Sequence, residues 1–359
     1  MKAWVLEDIG KFMLKDVPKP DAADGNVIVR VRAAGICGSD IQRVYENGAH
    51  RMPLIIGHEF SGQVESVGRY VSEDWIGKRV GIFPLIPCRK CPACLSKKYE
   101  MCAQYSYLGS RVDGGFAEYV SVPTWNLMEL PDEMSFEQAA MLEPMAVAVH
   151  AMRRVDISRK ASVAVCGLGT IGQLLLMFLL ESGIENVYAI GSKASQRKTV
   201  TALGLPDENF CDSSVTDVKD FIDRKTEHQG VEIFFECVGK NETVAQAIDL
   251  TAAGGQICLV GNPYSDMRLD RDIYWKILRR QLRITGTWNS SYLGEMDEDA
   301  LYDDWHYVTD RLKAGRLKPE ELITHRLSME QLDTGFEIMR DKKEPYIKIM
   351  TLFAGGIIL

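Results

Sequence analysis

Apolar and polar positions change rhythm twice along this chain. Through residues 1–140, segments such as NVIVRVRAAG and FSGQVESVG alternate between the two and are broken by turn residues, which predicts short antiparallel strands in an irregular barrel or sandwich. From about residue 160, strand-like apolar runs (SVAVCG, NVYAIG, VEIFFECVG, QICLVG, LRITGTW) alternate with helical stretches such as GQLLLMFLLESG. That order demands crossover connections and predicts a parallel sheet with helices on both faces. Beyond about residue 288 the text is polar and helical, then closes on PYIKIMTLF, a strand expected to rejoin the first domain. The chain therefore reads as α/β, with a β-rich domain at 1–147, a doubly wound parallel-sheet domain at 148–287 and a returning segment at 288–359.

A length of 359 residues with 46% hydrophobic content is ample for the two cores this pattern requires. The formal charge of −8, with no concentrated Lys/Arg run, argues against nucleic acid or an anionic membrane as the main partner and favours small molecules. No apolar stretch reaches the roughly 18 residues of a membrane span, and the opening MKAWVLEDIG lacks the basic and apolar segments of a signal peptide. A cytoplasmic protein is expected. Nine cysteines, an odd number with four in one short segment, suit thiolate chemistry in a reducing compartment.

Those four are Cys88, Cys91, Cys94 and Cys102, within PCRKCPACLSKKYEMC. Four thiolates on one loop close tetrahedrally around zinc and leave no position for water, the arrangement of a structural site. An iron–sulfur cluster is the other metal reading of that spacing, disfavoured by the rest of the chain. A second set is dispersed: Cys37 in AAGICGSD, His58 and Glu59 in IIGHEFSG, and Glu143 in AMLEPMAV. A Cys/His/Glu mixture meets the need of a catalytic zinc for three protein ligands and one open position. Taken singly, Cys37 also reads as a small core residue and His58–Glu59 as an ion pair.

Between the strand SVAVC and the next helix lies Gly167-Leu168-Gly169-Thr170-Ile171-Gly172. In such a G-x-G-x-x-G the first glycine permits a tight turn, the second lets a pyrophosphate approach the backbone, and the third allows close helix–strand packing. Inside a repeated strand–helix pattern it predicts a dinucleotide site. Cys237-Val238, Val260-Gly261-Asn262 and Thr287 end successive strands and are expected to line the nicotinamide half.

CGSD, GHEFSGQVESVG, the four-cysteine lobe and GLGTIG, in this order and spacing, resemble the zinc-dependent medium-chain alcohol and polyol dehydrogenases over essentially the whole chain. The resemblance implies a GroES-like catalytic domain split around a Rossmann domain. It implies two zinc ions per chain and a homodimer or homotetramer. It further implies that Cys37, His58 and Glu143 hold the catalytic zinc, that Glu59 is the neighbouring acid able to enter the zinc shell, and that Ser39 begins proton release. A helix N-cap is the other use of that hydroxyl. Glu143-Pro144 stands where alcohol dehydrogenases carry a cysteine, and resembles the sorbitol- and threonine-dehydrogenase-like branch. The stretches Asn47–His50, Gly109–Tyr119 and Lys276–Trp288 resemble members acting on hexitol phosphates, whose close relatives take unphosphorylated hexitols. Arg43, His50 and Arg111, in or beside these stretches, are the candidate substrate-phosphate residues. A zinc- and dinucleotide-binding protein without dehydrogenase activity would show a damaged ligand set, and Cys37, His58 and Glu143 are all present.

One departure concerns the cofactor. NAD-preferring Rossmann proteins carry an acid at the end of the second strand, about 20 residues beyond the first glycines, for the ribose hydroxyls. Here that strand ends in Gly191-Ser192-Lys193. With no carboxylate to repel a 2′-phosphate, Ser192, Lys193 and Arg197 are expected to bind it, favouring NADP(H) over NAD(H). Lys193 and Arg197 on a merely solvated helix face would leave the two cofactors similarly used.

Overall fold

The alternating segment NVIVRVRAAG forms the strand Asn26–Gly35, with Val27, Val29 and Val31 buried and Arg30 facing out. In the computed structural model, which describes residues 1–294 and 302–353, this strand is the hub of a seven-stranded sheet. Its antiparallel partners are Glu59–Val67, Tyr119–Pro123 and Lys348–Leu352. The last of these is the closing PYIKIMTLF strand, paired through Met350, Thr351 and Leu352 with Ala33–Gly35 and lying parallel to Ile323–Ser328. A smaller sheet joins Lys11–Asp16, Lys2–Asp8 and Leu54–Ile55. Phe60, Phe116 and Phe336 are fully buried in the core beside Val29 and Ile349. Burial of each such side chain contributes about 1.5–3 kcal/mol.

The chain divides into one unit of Met1–Glu143 with Ser290–Leu359 and another of Pro144–Asn289. Residues 295–301 and 354–359 of the expected returning segment lie outside the described residues. The second unit is a six-stranded sheet in the order Phe210–Asp212, Asn186–Gly191, Ser162–Cys166, Val231–Glu236, Thr251–Leu259, Arg283–Gly286. Every neighbouring pair is parallel, and the order is the 3-2-1-4-5-6 of a Rossmann sheet. Val163, Ala164 and Val165 are all buried because both faces of their strand are covered, which is why the run carries no alternation. LRITGTW behaves differently: Arg283–Gly286 is an edge strand and mostly exposed. Among the described residues no helix is long and apolar enough to cross a membrane.

Candidate active site and metal centres

The register of the central sheet assembles the dispersed donors. Gly35 pairs with Glu59, so Cys37, two residues past the end of one strand, and His58, one residue before its neighbour, arrive at the same edge. Cys37 caps the short helix Gly38–Gln42 and its backbone N–H donates to Asp40 Oδ2 at 3.1 Å. Ser39 therefore lies inside the first turn, half-buried, and not at the N-cap. Donor atoms of Cys37, His58 and Glu59 lie within 4.8 Å of one another, the two latter residues buried.

Three side chains that the sequence reading passed over support this set. Asp40 is fully buried, with Oδ1 at 3.4 Å from His58 Nδ1 and accepting from Arg43 Nη1 at 2.6 Å. Burial alone would raise the Asp40 pKa, but the charges of His58 and Arg43 and the Cys37 N–H hold it below the usual carboxylate range. Burial likewise disfavours a charged His58, and the facing Asp40 carboxylate outweighs it and raises the imidazole well above its ordinary value. An imidazole with one nitrogen turned to a carboxylate is oriented to offer the other to a metal. Lys348, buried in the closing strand, pairs with Glu59 Oε2 and donates to Ile36 O at 3.1 Å. Tyr107 Oη donates to Glu143 Oε1 at 3.1 Å.

Glu143, buried in the first turn of the helix Leu142–Met152, stands outside the compact trio, its carboxylate held by Tyr107. All four expected metal residues therefore belong to one buried neighbourhood, with Cys37, His58 and Glu59 in the compact trio and Glu143 coupled to His58 and Glu59 beside it. Burial and the charge of Glu59 push the Glu143 carboxyl up to about 7, partly offset by His58 and Lys348. A thiol, an imidazole and carboxylates gathered in one place offer the mixed sulfur, nitrogen and oxygen donors that suit zinc.

The cysteine lobe forms a second cluster within the first unit. Its Sγ···Sγ distances are 3.5 Å for Cys91–Cys94 and 3.9 Å for Cys88–Cys94 and Cys91–Cys102. Zinc–sulfur bonds of about 2.3 Å in a tetrahedron set the sulfurs about 3.8 Å apart, so the lobe has the dimensions of the ion. Backbone N–H groups serve the thiolates: Cys88 N donates to Cys102 Sγ at 3.2 Å, and those of Cys94 and Ala103 bring the Cys91 thiol down to about 6.

In the second unit Gly169 caps the helix Thr170–Glu181, which includes Thr170, Ile171 and Gly172. A Cβ at Gly172 would stand 2.0 Å from Gly167 O, whereas one at Gly169 would meet nothing within 4 Å. Tight packing accounts for the last glycine, while Gly169 faces open space at the N-terminus of the helix. Glu236, buried at the end of its strand and absent from the sequence reading, accepts from Val238 N at 2.8 Å and Gly239 N at 2.9 Å. Its carbonyl accepts from Val260 N and Gly261 N, so one residue fixes both loops that carry Cys237, Val238, Val260, Gly261 and Asn262. Thr287 N donates to Leu259 O at 3.1 Å, while its hydroxyl is buried without a hydrogen-bond partner among the described residues. At the other end Arg197 forms a two-pronged ion pair with Asp207, its Nε at 2.6 Å.

Of the candidate substrate residues, His50 is exposed and Arg43 is committed to Asp40. Arg111 lies 4.3 Å over the Tyr105 ring, and its Nε is buried with no hydrogen-bond partner among the described residues. Tyr105 meets Tyr107 edge-on at 6.1 Å.

The first unit, with its Cys/His/Glu trio and cysteine lobe, and the Rossmann unit with its glycine loop define a zinc-dependent dehydrogenase. The chain matches the Alcohol dehydrogenase GroES-like domain over residues 23–132 and the Zinc-binding dehydrogenase family over 170–305. It belongs to the zinc-dependent medium-chain dehydrogenase/reductase family and is an NAD(P)-linked alcohol oxidoreductase. It is 33% identical over 308 residues to galactitol 1-phosphate 5-dehydrogenase of Escherichia coli strain K12, covering 85% of this chain and 86% of that one. The crystal structure of galactitol-1-phosphate dehydrogenase from Escherichia coli superposes with a TM-score of 0.89 at 31% identity, over 98% of this chain and 100% of that one. L-idonate 5-dehydrogenase of Vitis vinifera is 29% identical over 93% of this chain and 89% of its own.

Proposed function

We propose that this enzyme moves a hydride between NADP(H) and a secondary alcohol or ketone carbon of a polyol phosphate of the galactitol 1-phosphate kind. Zinc bound at Cys37, His58 and Glu59, with Glu143 at hand, would act as a Lewis acid and make the substrate hydroxyl easier to deprotonate. The side chains supply the rest. Asp40 orients His58, Lys348 holds Glu59, and Tyr107 holds Glu143, so that the donor set is in place before substrate arrives. Ser39, beside Cys37, is the first acceptor of the substrate proton in a relay toward solvent. The Gly167–Gly172 loop takes the pyrophosphate, and the loops at Cys237–Val238 and Val260–Asn262 with Thr287 take the nicotinamide half. For the adenosine end, Ser192 and Lys193 remain to meet a 2′-phosphate, since Arg197 is already paired with Asp207.

Arg111 carries the phosphorylated reading. Its guanidinium has an unspent buried donor and is linked through the Tyr105 and Tyr107 rings to Glu143, which suits a charge anchored at the far end of a substrate. Replacing it removes a charge-assisted hydrogen bond worth about 1.5–3 kcal/mol, or roughly 10–100-fold. Arg111→Ala should raise KM for a hexitol phosphate by that factor and leave KM for the free hexitol nearly unchanged. Equal rises for both would make the arginine structural and favour an unphosphorylated polyol. Four thiolates at one zinc site require reduced sulfur, which supports a cytoplasmic enzyme.

We also propose a homodimer built on the Rossmann unit. The helix Arg271–Arg279 packs Ile273 and Ile277 inward yet leaves Tyr274, Trp275 and Leu278 about half exposed, and the edge strand beside it exposes Ile284. An open edge with an apolar flank invites a second copy, and a two-fold axis lets the same edge serve both partners.

A further inference from the structure

The missing acid at the end of the second Rossmann strand leaves a position that another side chain fills. Gln196, in the helix Ala194–Ala202, reaches back over Gly191. Its Oε1 accepts from Ser192 N at 3.1 Å and Lys193 N at 3.2 Å, and its Nε2 donates to Leu168 O at 3.0 Å. Leu168 lies between the first two glycines of the phosphate loop, so one amide ties the ribose loop to the pyrophosphate loop. A Cβ at Gly191 would stand 2.8 Å from Gln196 Oε1, 2.8 Å from Leu168 Cδ1 and 3.2 Å from Phe210 Cε2. The backbone there is pinned as well, because Gly191 O accepts from Ser213 N at 2.7 Å and Ser213 Oγ at 3.0 Å.

We infer that Gln196 is a specificity-determining residue for the cofactor: with Gly191 it occupies the place from which a carboxylate would grip the ribose hydroxyls of NAD. This rests on the NADP(H) reading and names what enforces it. A side chain at 191 enters only if the Gln196 amide and the Leu168 side chain both give way, which frees the two loop N–H groups and leaves the Leu168 carbonyl with its bond from Gln173 Nε2 at 2.9 Å. The neighbouring strand does not replace the acid. Asp212 is in register with Gly191, but its Oδ1 accepts from Ser214 N at 3.0 Å and Ser214 Oγ at 2.5 Å. At the strand end itself the ribose edge carries polar and cationic groups, Ser192 and Lys193, both exposed.

The test compares the zinc-loaded full chain with Gly191→Asp, Gln196→Ala and the double variant, by titrating NADP⁺ and NAD⁺ for Kd and by kcat/KM with each. The single Gly191→Asp change should weaken both cofactors and move their ratio by less than about threefold. The double variant should shift the ratio toward NAD⁺ by about tenfold beyond the product of the single effects, the signature of two residues sharing one space. A single Gly191→Asp change that moves the ratio as far as the double would overturn the inference. Should the variants carrying Gly191→Asp fail to fold, Gln196→Glu decides. It keeps the acceptor for the two N–H groups while placing a charge beside the ribose, and should lower NADP⁺ affinity relative to NAD⁺ by about tenfold; an unmoved ratio would overturn the inference. A wild-type preference for NAD⁺ would refute the NADP(H) reading separately, because the coupling between positions 191 and 196 is read from differences among variants.

Discussion

Lys348 is the residue on which the metal site leans without offering a ligand. Its ammonium, buried in the closing strand, neutralises Glu59 and is satisfied by Ile36 O. Removing one partner of a buried pair leaves the other uncompensated, at a cost of about 3–5 kcal/mol. Lys348→Met should therefore lower the unfolding free energy by that amount in urea titration, with kcat falling alongside. An unchanged denaturation midpoint would mean that Glu59 finds its counter-charge elsewhere. Cys37, His58, Glu59 and Glu143 were legible through their motifs and the resemblance those motifs carry, since a lone thiol or imidazole also reads as core residue or ion pair. Asp40 and Tyr107 went unnoticed for the opposite reason: they act through the orientation of other side chains, and orientation has no sequence period. A faint signal existed for Lys348, a lone cation in the apolar run PYIKIMTLF, and for Glu236, the acid closing VEIFFE.

At the scale of elements, the cysteine lobe is the part that local sequence describes most fully. Its ligands span one loop, with only the short helical turns Pro92–Leu95 and Tyr99–Met101 between them, so tertiary contacts have little to decide. Zinc supplies the cohesion that so small a segment cannot obtain from an apolar core. Cys94→Ser should reduce the metal content from two zinc ions per chain to one by elemental analysis and open the 88–102 loop to limited proteolysis. Retention of both ions would show that three thiolates suffice. The strands were also legible, by alternation in the first unit and by unbroken apolar runs in the second, since burial on one face or on both writes itself into the residue pattern. The pattern of LRITGTW promised an ordinary sheet strand; its neighbours in the sheet made it an edge.

For the whole molecule, the exposed edge is the feature with the largest consequence. Ile284→Lys combined with Trp275→Glu should convert the proposed dimer to a monomer in sedimentation velocity, with each chain still folded by circular dichroism. A dimer that survives both charges would have to be built on another surface. By itself the sequence determined the metal chemistry, the glycine loop and the two-part α/β organisation, because each depends on residue types at short spacing or on a local hydrophobic period. The tertiary structure alone decided which groups stand behind the metal residues, Asp40 at His58, Lys348 at Glu59 and Tyr107 at Glu143, that Arg43 serves Asp40 while Arg111 stays unspent, and that Gln196 reaches back over Gly191. These depend on which side chains meet after strands far apart in sequence are set in register, and no local pattern encodes that meeting.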